Sequence, residues 1–434
     1  MADTLAAGTA ARMEAEADEG RAAPAVTPGG GEPARNGPRR RPRVLFLMVR
    51  TDAELYGGTR SLLLFLEQQR ALDAHVVVAA ASPDDPAMAE LERMGVPHEF
   101  FDAGAMLAAR RRRGALVRLR RIALAGWYNL RLLRVIRRLR SEVVHVDFEG
   151  MALAAPAARI ARRTLVCHVR GVQIGNRIGR GTQLAMRVAD RTVVVSVPLR
   201  DYCVEAMPPR LRARVGPRVV GVYNAVRLKL IAENRRRMGR GEARALLGIP
   251  PGEVAVGIIG GIFGMKGQRE FLQNVAPRVA AADPRVRFYL VGGEKDPAYA
   301  RECHVAAAAP ELRGRVRFVG WDDQVWRWYR ALDIIAFPST AEGFGRVVAE
   351  SQAYGLPVVA SDIVGIRGTM QHGVGGFFAG DYDAFAGHLL RLAGDPALRV
   401  RMGAAGEDYV RRFDQDVVTR DLEAVYAGLA ERSR

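Results

Sequence analysis

The chain has 434 residues, 49% of them hydrophobic and 26% charged, and its 46 Gly and 22 Pro follow no period; this is the make-up of a soluble protein of two or three domains and excludes collagen-like or low-complexity architecture. No run approaches the ~18 apolar residues of a membrane span, the N-terminus lacks the basic start and apolar core of a secretory signal, and three distant cysteines (Cys167, Cys203, Cys303) make neither a disulfide framework nor a zinc knuckle. A reducing, cytoplasmic compartment is expected, and the net charge of +18 asks for an anionic partner.

In chain order, residues 1–42 are rich in Ala, Gly, Pro, Glu and Arg and nearly devoid of large apolar side chains. Burial cannot offset the entropy of ordering such a segment, so it is expected to be disordered. An apolar run at 44–49 then opens as a buried strand. Further strand-like runs follow at 75–80, 143–148, 165–169, 192–197 and 219–223, separated by helical stretches. Continuous apolar runs of this kind mark a parallel sheet covered on both faces. The pattern breaks at residues 227–252, a polar, basic stretch that reads as an interdomain connection with a short helix. A second series follows at 254–259, 286–291, 316–319, 334–337 and 358–360. The expected fold class is α/β, with two Rossmann-like doubly wound domains, residues 43–228 and 229–414, facing a central cleft. In such sheets the ligand lies beyond the carboxyl ends of the strands.

The basic excess is uneven. From Arg110 to Arg140 there are twelve Arg and no Asp or Glu, a charge of +12 in thirty-one residues. Tyr128, Leu132, Val135, Ile136 and Leu139 recur as one helix face, with Arg131, Arg134, Arg137 and Arg138 opposite and Trp127 at the start. One reading is a helix packed on a sheet with a solvated basic back. The other is contact with an anionic membrane surface, where each basic residue contributes ~1 kcal/mol. Nucleic acid is not an expected partner, because no aromatics interleave with the arginines and no recognition signature accompanies them.

The most informative segment is Phe337-Pro338-Ser339-Thr340-Ala341-Glu342-Gly343-Phe344-Gly345-Arg346-Val347-Val348-Ala349-Glu350. A strand ends, a Pro-Ser-Thr turn follows, and a helix begins near residues 343–345. Small glycines let backbone approach a ligand. The free N–H groups of the first helical turn make an anion site suited to a diphosphate. Glu342 lies before the helix and Glu350 inside it, with seven residues between them. One carboxylate could bond sugar hydroxyls and the other a ribose diol.

This segment resembles the signature of the family 4 retaining glycosyltransferases of the GT-B fold (glycosyl transferases group 1): a Glu, seven residues and a second Glu, set in Pro-Ser-x-x-Glu-Gly-Phe-Gly. The resemblance extends over about residues 43 to 430. It implies a C-terminal helix, ~415–434, packed back on the first domain, and transfer of a sugar from a nucleotide-diphosphate sugar, UDP- or GDP-linked, to a hydroxyl of a glycan or lipid-linked acceptor. It implies no cofactor and no metal. Glu342, His168 and Lys266 are the expected catalytic residues. Gly58, Arg170, Lys266, Gly343, Phe344, Gly345, Arg346, Val347 and Glu350 are expected to hold the donor. His145 ends a similar strand and is the second candidate histidine. The place of action implied is the cytoplasm, with peripheral attachment to the inner membrane face.

Two positions depart from the pattern. Gly261 stands where the family has a phosphate-binding Arg; either Arg170, Arg177 or Arg269 compensates for the loss, or the donor binds differently. Gly368 stands where it has a Glu. The single Asp-x-Asp, Asp381-Tyr382-Asp383, reads as a helix cap rather than a metal site. Alternatives kept open are a nucleotide-sugar epimerase or hydrolase, and a non-catalytic member that binds membranes through the Arg stripe.

Overall fold

A computed structural model describes residues 40–50, 57–105, 115–147, 150–171 and 178–432. Nearly all of the leader expected to be disordered, Arg177, and residues 110–114 of the basic run lie outside the described residues, as do the side chains of 115–119 and 121.

Two parallel sheets form the frame. The first has seven strands: β1 (Arg43–Val49), β2 (Asp73–Ala80), β3 (His98–Asp102), β4 (Val143–Asp147), β5 (Thr164–Val169), β6 (Arg191–Val194) and β7 (Val219–Gly221), in the order β3-β2-β1-β4-β5-β6-β7. The second has six: β8 (Val254–Ile259), β9 (Val286–Val291), β10 (Val316–Gly320), β11 (Ile334–Phe337), β12 (Val358–Ser361) and β13 (Gly376–Ala379), in the order β10-β9-β8-β11-β12-β13. Strand order reverses between β1 and β4 and again between β8 and β11. A doubly wound sheet opens its ligand crevice at such points.

Alternation within the strands explains why both faces are covered. Along β1, Leu45 and Leu47 join one core while Val44, Phe46 and Met48 join the other. Along β8, Ala255 and Ile259 face one way and Val254, Val256 and Ile258 the other. This is the two-residue period of a strand, read in a sheet buried on both sides.

The chain passes between the two domains twice, and the two passages are tied together. Val226 N–H donates to Phe413 O at 2.8 Å, and Gln415 N–H donates to Val226 O at 3.1 Å. The helix Gln415–Arg432 then lies against the first sheet. Its Tyr426 packs edge-on to Phe46 at 5.7 Å and reaches His145 Nδ1 at 2.8 Å. Glu423 accepts the backbone N–H groups of Arg70 and Ala71, and Gln415 Nε2 donates to Leu64 O.

The structure departs from the sequence reading in places. Strands β3 and β13 have no counterpart in it: one is a partly exposed edge strand with His98 and Glu99 in it, and the other is four residues opening with Gly376. The polar stretch 227–252 holds two helices, Leu228–Arg237 and Arg240–Leu247. Their cations face carboxylate and carbonyl groups of the second domain, as in Arg244 Nη1 to Asp333 Oδ2 at 2.9 Å. The run at 192–197 stops early because Ser196 caps the helix Val197–Glu205, accepting from Leu199 N–H. Asp381 caps the helix Tyr382–Gly394 in the same way through Ala384 N–H.

Replacing Tyr426 by Phe keeps the ring packing but strips His145 Nδ1 of its buried partner. The expected loss is about 1–3 kcal/mol of stability, read as a lower urea midpoint. An unchanged midpoint would mean that His145 finds another partner.

Candidate active site

The loops that leave β8 and β11 lie on either side of the strand-order reversal in the second sheet, and they are stitched together. Thr340 N–H donates to Met265 O at 3.0 Å. At Gly267, φ is +68°, and a Cβ there would fall 2.2 Å from Pro338 O, so only glycine permits this contact. The result is a salt bridge across the crevice: Lys266 Nζ meets Glu342 Oε2 at 2.7 Å, with both side chains about one-fifth exposed. The ammonium also stands 5.4 Å from the centre of the Phe337 ring.

After Glu342 the backbone runs through Gly343, Phe344 and Gly345 into the helix Arg346–Ala353. Gly345 caps it with φ +68°, and the helical ladder starts with Val348 N–H to Gly345 O at 2.9 Å. The N–H groups of Arg346 and Val347 therefore lie ahead of the ladder, at the positive end of the helix. Phe344 is placed differently from its neighbours. Its ring is buried against Phe413 at 5.2 Å and Tyr223 at 6.2 Å, so only its backbone faces the loop. Glu350 is held by Tyr329, whose hydroxyl donates to Oε2 at 3.0 Å, and Tyr329 stacks on Tyr354.

The first domain meets this loop closely. A Cβ on Gly343 would lie 1.8 Å from Arg170 O. The Arg170 side chain runs under Gly58, in the first turn of the helix Gly57–Gln68, and its Nε donates to Asp147 Oδ1 at 2.7 Å. From the other side, Arg346 Nη2 donates to Ser61 Oγ at 2.5 Å. Gly58, Arg170, Lys266, Glu342, Gly343, Gly345 and Arg346 are thus gathered along the facing edges of the two sheets. His168 is set apart from them. It is 5% exposed inside the first domain, its Nδ1 is 3.4 Å from His145 Nε2, and its Nε2 has no hydrogen-bond partner among the described residues.

His145, Asp147 and His168 bring donor atoms within 4.8 Å of one another. Arg170 is bonded to Asp147, and its charge presses down the proton affinity of both histidines after burial does so. The carboxylate of this set is thus already engaged by a guanidinium whose charge would also oppose a cation beside the two histidines. Burial holds His145 at a pKa of about 3, and His168 well below the ordinary imidazole value. The Tyr426 hydroxyl, the two ring nitrogens of His145 and Nδ1 of His168 thus form one buried chain of hydrogen bonds.

The structure also accounts for both departures from the family pattern. A Cβ on Gly368 would lie 2.9 Å from Pro198 and 3.1 Å from Tyr223, so a Glu side chain has no room there. A Cβ on Gly261 would run into the stem of Lys295. Neither of the described arginines named as a substitute is idle. Arg170 is bonded to Asp147, and Arg269 pairs with Glu270 and Glu302. Lys295 escaped the sequence reading because it stands on the loop after β9, one whole strand and two helices further along the chain than Gly261.

Comparison with known proteins bears on this geometry. Residues 253–395 match the family model of glycosyl transferases group 1. The matched stretch takes in the whole second sheet, from β8 to β13. It is 34% identical over 202 residues to a D-inositol 3-phosphate glycosyltransferase of Thermomonospora curvata, covering 44% of this chain and 47% of that one. It is 30% identical over 264 residues to the enzyme of the same name from Thermobispora bispora, covering 58% and 59%. The chain thus spans about half the length of these relatives. Among solved structures it resembles a glycosyltransferase of Rickettsia africae (TM-score 0.73, 15% identity, 90% of this chain and 99% of that one). It also resembles Anabaena HepE in complex with UDP (TM-score 0.69, 20% identity, 89% and 100%). These two likenesses establish the GT-B arrangement of two Rossmann-like domains.

Both buried histidines are neutral in the folded protein but take a proton near pH 6.5 once unfolded. The unfolded state therefore binds more protons below that pH. Stability is full above it and falls as pH drops, by about 1.4 kcal/mol per unit for each ring. Urea midpoints at about pH 7 and about pH 5 should show the decline. A flat profile would reveal a compensating charge at the pair.

Proposed function

We propose that the protein transfers a sugar from a nucleotide-diphosphate sugar to a hydroxyl acceptor, with retention at the anomeric carbon and without a metal. The observation that carries this reading is the Lys266–Glu342 pair beside the open N-terminus of the helix Arg346–Ala353, at the strand-order reversal of the sheet that the group 1 family model matches. In the transfer, the bond from the anomeric carbon to the diphosphate oxygen breaks, and a bond to the acceptor oxygen forms. The acceptor proton passes to the leaving diphosphate. Charge grows on the diphosphate, so the largest task is electrostatic. Lys266 and the N–H groups of Arg346 and Val347 are aimed at it before the reaction begins. Glu342 orients Lys266 and bonds sugar hydroxyls, and Glu350, fixed by Tyr329, takes the ribose. The approach of Gly343 to Arg170 brings the two domains close enough to exclude water from the donor, and Gly58 and Gly345 let their loops come close to it. His168, beneath Arg170, serves as a neutral polar group near the transferred sugar. The donor is UDP- or GDP-linked, and the acceptor is a glycan or lipid-linked hydroxyl of envelope or exopolysaccharide synthesis.

Calorimetry against UDP, GDP and ADP tests the reading directly. One diphosphate should bind, and Lys266→Ala should abolish the binding. Lys266→Ala and Glu342→Ala should each lower turnover at least about tenfold, or ~1.4 kcal/mol of transition-state stabilisation. Full activity in both variants would remove the site assignment.

The reading includes attachment to an anionic membrane face through the helix Ala115–Arg138. Its buried side carries Tyr128, Leu132, Val135 and Ile136. Its outer side is not purely basic: Ile122 (64% exposed), Trp127 (49%) and Leu130 (48%) stand there with Arg134 and Arg137. Two of the expected contact arginines have other work, since Arg138 pairs with Glu99 and Arg131 stacks on Phe101 at 4.3 Å. Exposed Trp and Leu beside Arg suit the headgroup layer, where apolar area and charge act together. Among the described residues, no helix is long and apolar enough to cross a membrane. Substituting Trp127→Ser, Arg134→Gln and Arg137→Gln together should abolish sedimentation with phosphatidylserine vesicles and leave nucleotide binding intact. Loss of both would make the helix structural.

A further inference from the structure

The loop after β8 carries two adjacent glycines, and a lysine stem lies over each. The Cβ position of Gly260 is 3.9 Å from Cε of Lys266. The Cβ position of Gly261 is 3.1, 2.9 and 2.8 Å from Cγ, Cδ and Cε of Lys295. Three successive methylenes at nearly one distance mean that the Lys295 side chain passes directly across Gly261. Any side chain at 261 would displace it.

The stem is held in place by backbone. Ile262 N–H donates to Gly293 O at 2.9 Å, and the N–H groups of Lys295 and Asp296 both donate to Ile262 O at 3.2 Å. The acids on either side of Lys295 pin the loop further. Glu294 pairs with His304 at 2.7 Å, and Asp296 caps the helix Pro297–Ala307 by accepting from Ala298 and Tyr299 N–H.

Charge supplies the reason for a second cation. A leaving nucleoside diphosphate gathers more than one negative charge, while Lys266 is already shared with Glu342 at 2.7 Å. With Lys266 and Arg170 both tied to carboxylates, a further cation adds to what Arg346 and the two helix N–H groups supply.

Resting on the function proposed above, we infer that Lys295 is a second diphosphate-binding cation of this site, and that Gly261 is glycine so that the Lys295 stem can cross it. The ligand class is a nucleoside diphosphate, gripped through its phosphates and not its base.

The test uses the full chain with UDP, GDP and inorganic pyrophosphate as probes, read by calorimetry. Wild type should bind pyrophosphate and one nucleotide. Lys295→Met keeps the stem and removes the charge; it should weaken both at least about tenfold, the usual worth of one charge-assisted hydrogen bond. Lys295 is exposed, so the variant should fold, which an unchanged thermal midpoint would verify. The decisive variant pairs Lys295→Ala with Gly261→Arg: a long cation from 261 enters the vacated space, and diphosphate binding should recover. Wild-type affinity in Lys295→Met, with binding still lost in Lys266→Ala, would overturn this inference and leave the transferase reading standing. No binding of any diphosphate by wild type would overturn both.

Discussion

Backbone held against backbone is the constraint on which the rest of the structure depends. At Gly343 the second domain comes so near to Arg170 O that one added carbon would sit at 1.8 Å, and at Gly365 a Cβ would lie 1.7 Å from Glu342 O. Gly267 meets Pro338 O in the same fashion. These three approaches set the height of Glu342 above the sheet, its reach to Lys266, and the seam between the domains. Side chains at such points would force loops apart by more than a rotamer change can absorb. The charged groups are arranged by this packing and do not create it.

Electrostatics then works inside a frame that is already fixed. The protein is strongly basic, yet its cleft is not a pool of free cations. Arg170 is bonded to Asp147, Lys266 to Glu342, and Arg269 to two glutamates. Pairing of this kind keeps a side chain in one rotamer and lowers what must be reorganised when a ligand arrives. It also explains why the histidines under Arg170 stay neutral: burial and a neighbouring guanidinium act in the same direction.

Much of this was legible in the residues. The apolar runs at 254–259 and 286–291 coincide with β8 and β9 because a strand buried on both faces writes itself as an unbroken apolar stretch. Strand β3 was not legible, since His98 and Glu99 sit on a half-exposed edge where that signal fades. The helices Leu228–Arg237 and Arg240–Leu247 were underread because their arginines look like a solvated linker until Asp333 is seen opposite them. At the site, the order strand, turn, glycine and helix is enough to put Lys266 on the loop after β8 and Glu342 and Gly345 on the loop after β11. It did not reveal that His168 lies below the cleft surface, that the ring of Phe344 belongs to the core, or that Lys295 crosses Gly261. Those facts depend on side chains meeting across loops that no spacing encodes.

The helix Gln415–Arg432 has a consequence for how the molecule comes into being. Val418, Leu422, Tyr426 and Leu429 belong to the same core as Phe46, Phe65 and Val76 of the first domain. When the first sheet has been synthesised, one wall of its core is still missing, and the ribosome must make the whole second domain before supplying it. The second domain, whose strands β8 to β13 are consecutive in the chain, has no such wait. Domains usually mature in the order of their synthesis; here the earlier-born domain is the later to close, and its uncovered apolar face is the stretch most in need of protection during translation.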